Sequence, residues 1–259
     1  MTLSLTKPKP LPPRILIYGE PKKGKSTFGF QAPNPVFIQT EDGLAGMPEA
    51  NAFPIAKSFE DVTKYMAELY NEDHGFNTLI VDSLDWLEVL IHNKICEEKR
   101  VKSIADIGYG AGYAAALAYW REYVDMINQL REYKNMMIVQ IAHSQIADYK
   151  SPDAEAYSKH MIKMHKGASA YIKERSDIII FVNTLLSTKT EETFGAKRKI
   201  ALGGDERILY THDKNNNESG TRYHGMPQEI PFDKEGNYWN TIMSSIPFFN
   251  QDQTIENEG

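Results

Sequence analysis

The stretch Ile17–Phe30, IYGEPKKGKSTFGF, decides how the rest of this chain is read. Gly19-x4-Gly24-Lys25-Ser26 fits the pattern G-x-x-x-x-G-K-[ST] in full. Its surroundings are the ones the pattern needs. The apolar run RILIY, Arg14–Tyr18, reads as a buried strand before it, and a helix is expected to open at Lys25 and run through Phe30. Glycines at this spacing let the backbone curl until its N–H groups converge on phosphate oxygens, and the helix amino terminus adds a favourable dipole. Glu20, Pro21, Lys22 and Lys23 form the body of the loop. Lys25 is placed for the β- and γ-phosphates, the Ser26 hydroxyl for a magnesium ion, and Thr27 for the α-phosphate. ATP with Mg2+ is the expected cofactor pair. Loops of this kind serve kinases, motors, switches and recombinases, so the remaining residues must choose among them.

Outward from the loop, strands and helices alternate. Val36–Thr40 reads as a second buried strand ending on Glu41 and Asp42, and Thr78–Val81 as a third ending on Asp82. Met136–Ala142 reads as a fourth and SDIIIFVN as a fifth. KRKIALG and RILYTHD suggest sixth and seventh strands, antiparallel or mixed. Ser58 with Asp61 predicts a helix cap, followed by Val62, Tyr65, Met66 and Leu69 on one face. LDWLEVLIHNKICEEK and LAYWREYVDMINQLREY carry helical spacing, whereas Ser144–Lys166 is polar and without periodicity. The pattern predicts an α/β fold: a mostly parallel central sheet with right-handed crossovers, flanked by helices, with antiparallel strands toward the carboxyl end. We expect a Pro-rich extended lead-in over 1–13, one domain over 14–249 and an acidic, disordered tail over 250–259, with no internal repeat.

Composition bounds the functional classes. The chain has 259 residues, 41% hydrophobic and 25% charged, which suits a soluble protein with a sizeable core. A net charge of −6 argues against a wholly basic nucleic-acid coat but leaves local patches open. The one cysteine, Cys96, excludes an internal disulfide; beside Ile91 and Ile95 it reads as a buried structural thiol. No apolar run approaches transmembrane length and the amino terminus lacks a signal-peptide core, so a cytoplasmic protein without membrane partners is expected.

Two carboxylates follow from the chemistry. Asp82, at the carboxyl end of its strand, is placed to complete a magnesium shell with Ser26. Hydrolysis also needs an oriented water. Glu41 is the first candidate for that base and Asp42 the reserve, both expected at the carboxyl edge beside the glycine loop's own strand. His160 and His165 lack a Cys or acidic partner at ligand spacing, so no metal is expected there.

This order of parts resembles the RecA-like ATPase core over about Arg14 to Asn217. FIQTE is similar to that family's strand ending in its catalytic glutamate, which falls on Glu41; small-molecule kinases usually lack an acid there. The resemblance makes His143, after MIVQIA, the γ-phosphate sensor. Recombinases usually carry Gln at this point and related hexameric helicases often His, so recombinase and helicase both stay open. GYGAGY, Gly108–Tyr113, is similar to an element of phage-encoded, core-only ATPases of the Sak type, which implies ATP-dependent single-strand annealing or recombination in a host cytoplasm.

The resemblance further implies two loops facing single-stranded DNA. In Val101–Tyr113 these are Lys102, Tyr109 and Tyr113; in Ser144–Lys166 they are Lys159, Lys163 and Lys166. A cation and aromatics on a mobile backbone suit stacking with phosphate contact. A late lysine of the family reaches across a subunit boundary to the neighbour's γ-phosphate; Lys214 would be that residue, with Arg207 or Arg198 behind it. Activity would then require a homo-oligomer, ring or filament, with the ATP site at the subunit interface, and a single-strand-binding protein as a possible companion. The rivals are a helicase-like or packaging motor, a small-molecule kinase, and a nucleotide-gated scaffold that does not hydrolyse.

Overall fold

Hydrophobic alternation along the strand before the glycine loop divides the protein into layers. In this computed structural model, which describes residues 4–149, 157–193, 196–214 and 216–253 (the backbone alone for 186–193, 196–205 and 251–253), that strand is β1, Arg14–Gly19. Ile15 and Ile17 enter one apolar cluster while Leu16 and Tyr18 enter the other, all fully buried. A strand covered on both faces is what a parallel sheet demands.

The elements that follow are α1 (Lys25–Phe30), β2 (Pro35–Gln39), α2 (Phe59–Asn71), β3 (Thr78–Asp82), α3 (Leu84–Lys99), α4 (Ala111–Tyr133), β4 (Met137–Tyr149), β5 (Tyr157–Ile162), α5 (Lys166–Arg175), β6 (Ile178–Thr193), β7 (Ala196–Tyr210), β8 (Gly220–Thr221), β9 (Glu229–Pro231) and α6 (Tyr238–Ser244). The sheet order is β2-β3-β4-β1-β6-β7-β9, with β5 on β4 and β8 on β6. β2, β3, β4, β1 and β6 are parallel to their neighbours, and β7 returns antiparallel. This is the expected α/β class, a P-loop nucleotide-hydrolase core. Helices α2 to α5 supply the larger cluster on one face; α1 and α6 close the other. No helix among the described residues is long and apolar enough to cross a membrane.

Local sequence explains most elements. Ser58 caps α2 through a reciprocal pair: its hydroxyl accepts from Asp61 N at 3.1 Å, and the Asp61 carboxylate accepts from Ser58 N at 3.2 Å. Phe59, Val62, Tyr65, Met66 and Leu69 bury the face that this start sets. Cys96 is half-buried against the larger cluster rather than fully enclosed.

Several expectations are corrected. The fourth strand does not stop at Ala142: β4 runs on to Tyr149 and folds back as β5, pairing Ser144 with Ile162 through Tyr149 with Tyr157. The polar stretch after His143 is thus largely an antiparallel arm, then α5; the buried positions of β5 are Lys159 and Ile162, three apart and one of them charged, so the arm carries no apolar alternation to read. The sixth and seventh strands are one strand. The Gly203-Gly204 pair, which reads as a break, sits where Thr184 pairs with Arg207 but Leu186 with Gly203, a bulge that absorbs the extra residues. The segment 101–113 holds 3-10 turns at Ile104–Asp106 and Gly108–Gly110 and the first residues of α4. Asn250 to Gln253, read as tail, belong to a 3-10 turn over Pro247–Gln253, whereas 254–259 lie outside the described residues.

Candidate nucleotide site

The loop after β1 sits between two strands that outrun it. β4 and β6 both pair with β1, and both continue past Gly19 into hairpins, β4–β5 on one side and β6–β7 on the other. Gly19 and Gly24 are required by contact and conformation. A Cβ on Gly19 would stand 2.5 Å from the Val182 carbonyl oxygen, and Gly24 holds φ at +93°. α1 opens at Lys25, and the whole arrangement encloses a cavity of about 510 Å³. Pro21, Lys22, Gly24, Lys25, Ser26 and Thr27 line it from the loop; Glu41, Asp42, Asp82, His143 and Arg207 line it from elsewhere.

Within the cavity Lys25 is 5% exposed, and its Nζ donates to the Gly19 and Glu20 carbonyls at 3.1 and 2.9 Å. Burial lowers its pKa, against the pull of Asp82, Asp85, Glu41 and Glu20. Lys23 turns outward to Thr184 Oγ1 at 2.8 Å and to Glu20 at 3.7 Å. Ser26 Oγ donates to Asp82 Oδ2 at 2.6 Å. Burial pushes the Asp82 carboxyl up to about 6, in spite of that hydrogen bond. A hydroxyl and a carboxylate oxygen side by side beneath a phosphate loop fit Mg2+, which takes few protein ligands and completes its shell with phosphates and water.

Glu41 reaches the cavity by a route the sequence did not suggest. β2 is not beside β1; β3 and β4 stand between them. The ends of β2 and β3 are clasped instead. The Thr40 hydroxyl accepts from Ser83 N at 2.8 Å and donates to Ser83 O at 2.7 Å, and the Ser83 hydroxyl donates to Glu41 Oε1 at 2.7 Å. This clasp turns Glu41 inward, 3.9 Å from His143 Nδ1, while Asp42 remains exposed at the rim. His143 stands opposite Gly19 in the β1–β4 register. Asp85, in the first turn of α3, accepts from its backbone N at 3.0 Å and faces its Nδ1 at 2.9 Å. Burial alone would raise the Asp85 pKa, but these His143 contacts hold it below the usual carboxylate range. Ser83, Asp85 and Thr40 were not singled out from sequence; their neighbours in the TE and DS pairs were the available signal.

The other named residues are scattered. Lys214 does not line the cavity: it pairs with Glu229 and lies 5.3 Å over the Tyr210 ring. β7 is antiparallel, so its end runs away from the phosphate edge; the residue it brings there is Arg207, opposite Thr184. The Arg198 side chain lies outside the described residues. Lys102, Lys163 and Lys166 are exposed, as is Tyr109, whose φ is +56°. Lys159 is 9% exposed and paired with Asp213 at 3.0 Å. Tyr113 stacks on His165 at 4.2 Å between ring centres, half-buried. That His165 donates its backbone N–H to both Glu88 oxygens, at 3.0 and 2.9 Å.

A second hollow of about 320 Å³ adjoins the first, lined by Asp85, Trp86, Glu88, Val89, Gln145, Lys163 and Met164. It lies between the first turns of α3 and the β4–β5 arm. Trp86 is 46% exposed there, and burial pushes Glu88 up to about 7 despite the His165 N–H bonds. Asp85 lines this second hollow and meets His143, which lines the first.

Beyond the cavity, α6 braces α1. Trp239 Nε1 donates to the Phe28 carbonyl at 3.1 Å, and the Trp239 and Phe28 rings lie 4.4 Å apart. A family model described as an AAA domain matches residues 11–223 of the chain. No curated protein matches it. The match covers most of the chain, including the whole phosphate loop, the Glu41 clasp, the Asp82 strand and Arg207, so the chain belongs to the AAA domain family and is a P-loop ATPase.

Proposed function

We infer that this ATPase is a RecA-like protein that acts on single-stranded DNA, in phage-type recombination or annealing. One observation carries the reading: His143, beside Glu41 at the phosphate site, is followed directly by the β4–β5 arm. Whatever the γ-phosphate does to His143 is transmitted to the arm through one strand and to Trp86 through Asp85. Trp86, Gln145 and Lys163 then offer an aromatic face, an amide and an ammonium at the adjoining hollow. Lys102 and the tyrosines of 101–113 would extend that surface.

In the nucleotide cavity, loop N–H groups and Lys25 bind and orient the polyphosphate. Ser26 and Asp82 would hold Mg2+, which when bound withdraws charge from the phosphate oxygens. Glu41, fixed by Ser83, orients the attacking water and takes its proton. His143 registers the presence of the terminal phosphate. Loss of that phosphate releases the arm, a population shift between two arrangements of the DNA-facing surface.

A helicase-like or packaging motor is the second reading, favoured by a histidine at the sensor point. A small-molecule kinase is disfavoured by Glu41, which would spend ATP on water. The deciding measurement is the steady-state ATPase rate with and without single-stranded DNA, at low and moderate salt. Stimulation that fades as salt rises supports the reading. Turnover indifferent to DNA sinks it, and unwinding of duplex DNA in place of annealing moves the protein to the motor class.

A further inference from the structure

We propose that Arg207 binds the polyphosphate of the nucleotide held by its own subunit, so that the second phosphate-binding cation is supplied in cis. The proposal rests on the nucleotide site and not on the DNA reading.

Three observations converge on this residue. Its position is dictated by the antiparallel return of β7, which pairs Arg207 with Thr184, the residue that also receives Lys23 Nζ. The guanidinium therefore arrives over the phosphate loop of the same chain. Nη1 donates to the Lys23 carbonyl at 3.2 Å, and a Cβ on Gly24 would come within 2.3 Å of Nη1. Second, the side chain is half-buried and held from below. It lies 4.7 Å over the Phe232 ring, and Phe232 N donates to the Arg207 carbonyl at 2.9 Å. Phe232 is 5% exposed and packs against Phe28 of α1 and Tyr238 of α6, with ring centres 6.4 and 5.0 Å away.

The third observation is charge. Arg14, Arg131 and Arg222 all contact Asp177, and Lys159, Lys173 and Lys214 each have an acidic partner. Arg207 pairs with no carboxylate among the described residues, and one carbonyl engages one of its five N–H groups. A guanidinium taken partly out of water with most of its donors unspent is costly unless an anion meets it. The fork geometry suits phosphate oxygens, and the cavity it lines is the phosphate cavity. Lys22 and Lys25 are the lysines lining that cavity, Lys25 within electrostatic reach of Asp82.

The consequence is a site complete within one chain for nucleotide binding. Titration with fluorescent ADP and ATP tests it, repeated across protein concentrations. Arg207→Ala should weaken both at least tenfold at every concentration, the scale of a charge-assisted hydrogen bond, and Arg207→Lys should recover part of the loss. Thermal midpoints and near-ultraviolet circular dichroism establish that the variants are folded; Arg207→Gln, which keeps a donor toward the Lys23 carbonyl, serves if the alanine variant is not. Mixing Lys25→Ala chains with Arg207→Ala chains should give no more turnover than the two added together. Wild-type affinity in Arg207→Ala, or turnover restored on mixing, would overturn the proposal in favour of a guanidinium serving a neighbouring subunit. Lys25→Ala binding as well as wild type would instead overturn the phosphate-loop assignment itself, an outcome legible separately from either result at Arg207.

Discussion

Asp82 is held at a cost that can be measured. It is 5% exposed, and burial raises its carboxyl from an ordinary 3.8 to about 6. The sign follows from linkage. A carboxyl whose pKa is raised by folding favours the native state in its protonated form, so stability falls as pH rises from the unfolded value through the folded one, and the penalty is complete above about pH 6. Two pKa units correspond to roughly 3 kcal/mol at pH 8, of which about half is already present at pH 5. Asp82→Asn keeps an oxygen for the Ser26 hydroxyl and removes the charge. The stability of Asp82→Asn relative to wild type, without nucleotide or magnesium, should therefore rise by roughly 1–2 kcal/mol between pH 5 and pH 8. For a protein of this size that is a widening of a few degrees in thermal midpoint. Loss of a carboxylate beside Lys25 acts in the same direction, because a buried lysine of lowered pKa gains stability with rising pH. The raised Glu88 contributes equally to both proteins and cancels from the difference. The assay is thermal or urea unfolding of both at several pH values in metal-free buffer. A difference flat with pH, or one that shrinks toward pH 8, would refute the reasoning. The same variant should lose magnesium-dependent nucleotide binding, since the charge that burdens the empty fold is the one the ion needs.

Three further outcomes are expected. Glu41→Gln should bind ATP at near wild-type affinity but hydrolyse it at least tenfold more slowly, the loss expected of a general base worth roughly 10²–10⁴; single-turnover kinetics separate the two, and if Asp42→Asn alone has this effect, the exposed acid at the rim is the base. Trp86→Ala should weaken single-stranded DNA binding by about 5- to 150-fold, the range of one stacked base, with Trp86→Phe recovering much of it and basal ATPase unaffected; fluorescence anisotropy of a labelled oligonucleotide at fixed salt reads this out. Trp239→Ala removes a ring that is 4% exposed and packed on Phe28, and should cost about 3–5 kcal/mol in urea unfolding; a loss under 1 kcal/mol would mean that α6 does not brace the phosphate-loop helix.

What the chain determines by itself is whatever depends on near neighbours. The phosphate loop needs glycines at Gly19 and Gly24 and a lysine at the helix start, all within a few residues, so pattern and geometry coincide. The bounds of α1 and α3, the Ser58–Asp61 cap and the parallel strands with their two-sided burial were legible for the same reason. Strand neighbours were not. That β3 and β4 separate the Glu41 strand from β1, and that Thr40 and Ser83 clasp across 43 positions to turn Glu41 inward, depends on hydrogen bonds between distant segments. The arm after His143 and the single long β7 escaped notice because a ribbon whose buried positions do not alternate, or a strand crossing a bulge at paired glycines, leaves no period in its residues. Most consequential is which late cation lines the phosphate cavity. Lys214 and Arg207 are equivalent as letters near a strand's end. Only the antiparallel direction of β7 decides that the chain beyond it runs away from the loop and that Arg207, still within the strand, lies over Lys23 and Gly24.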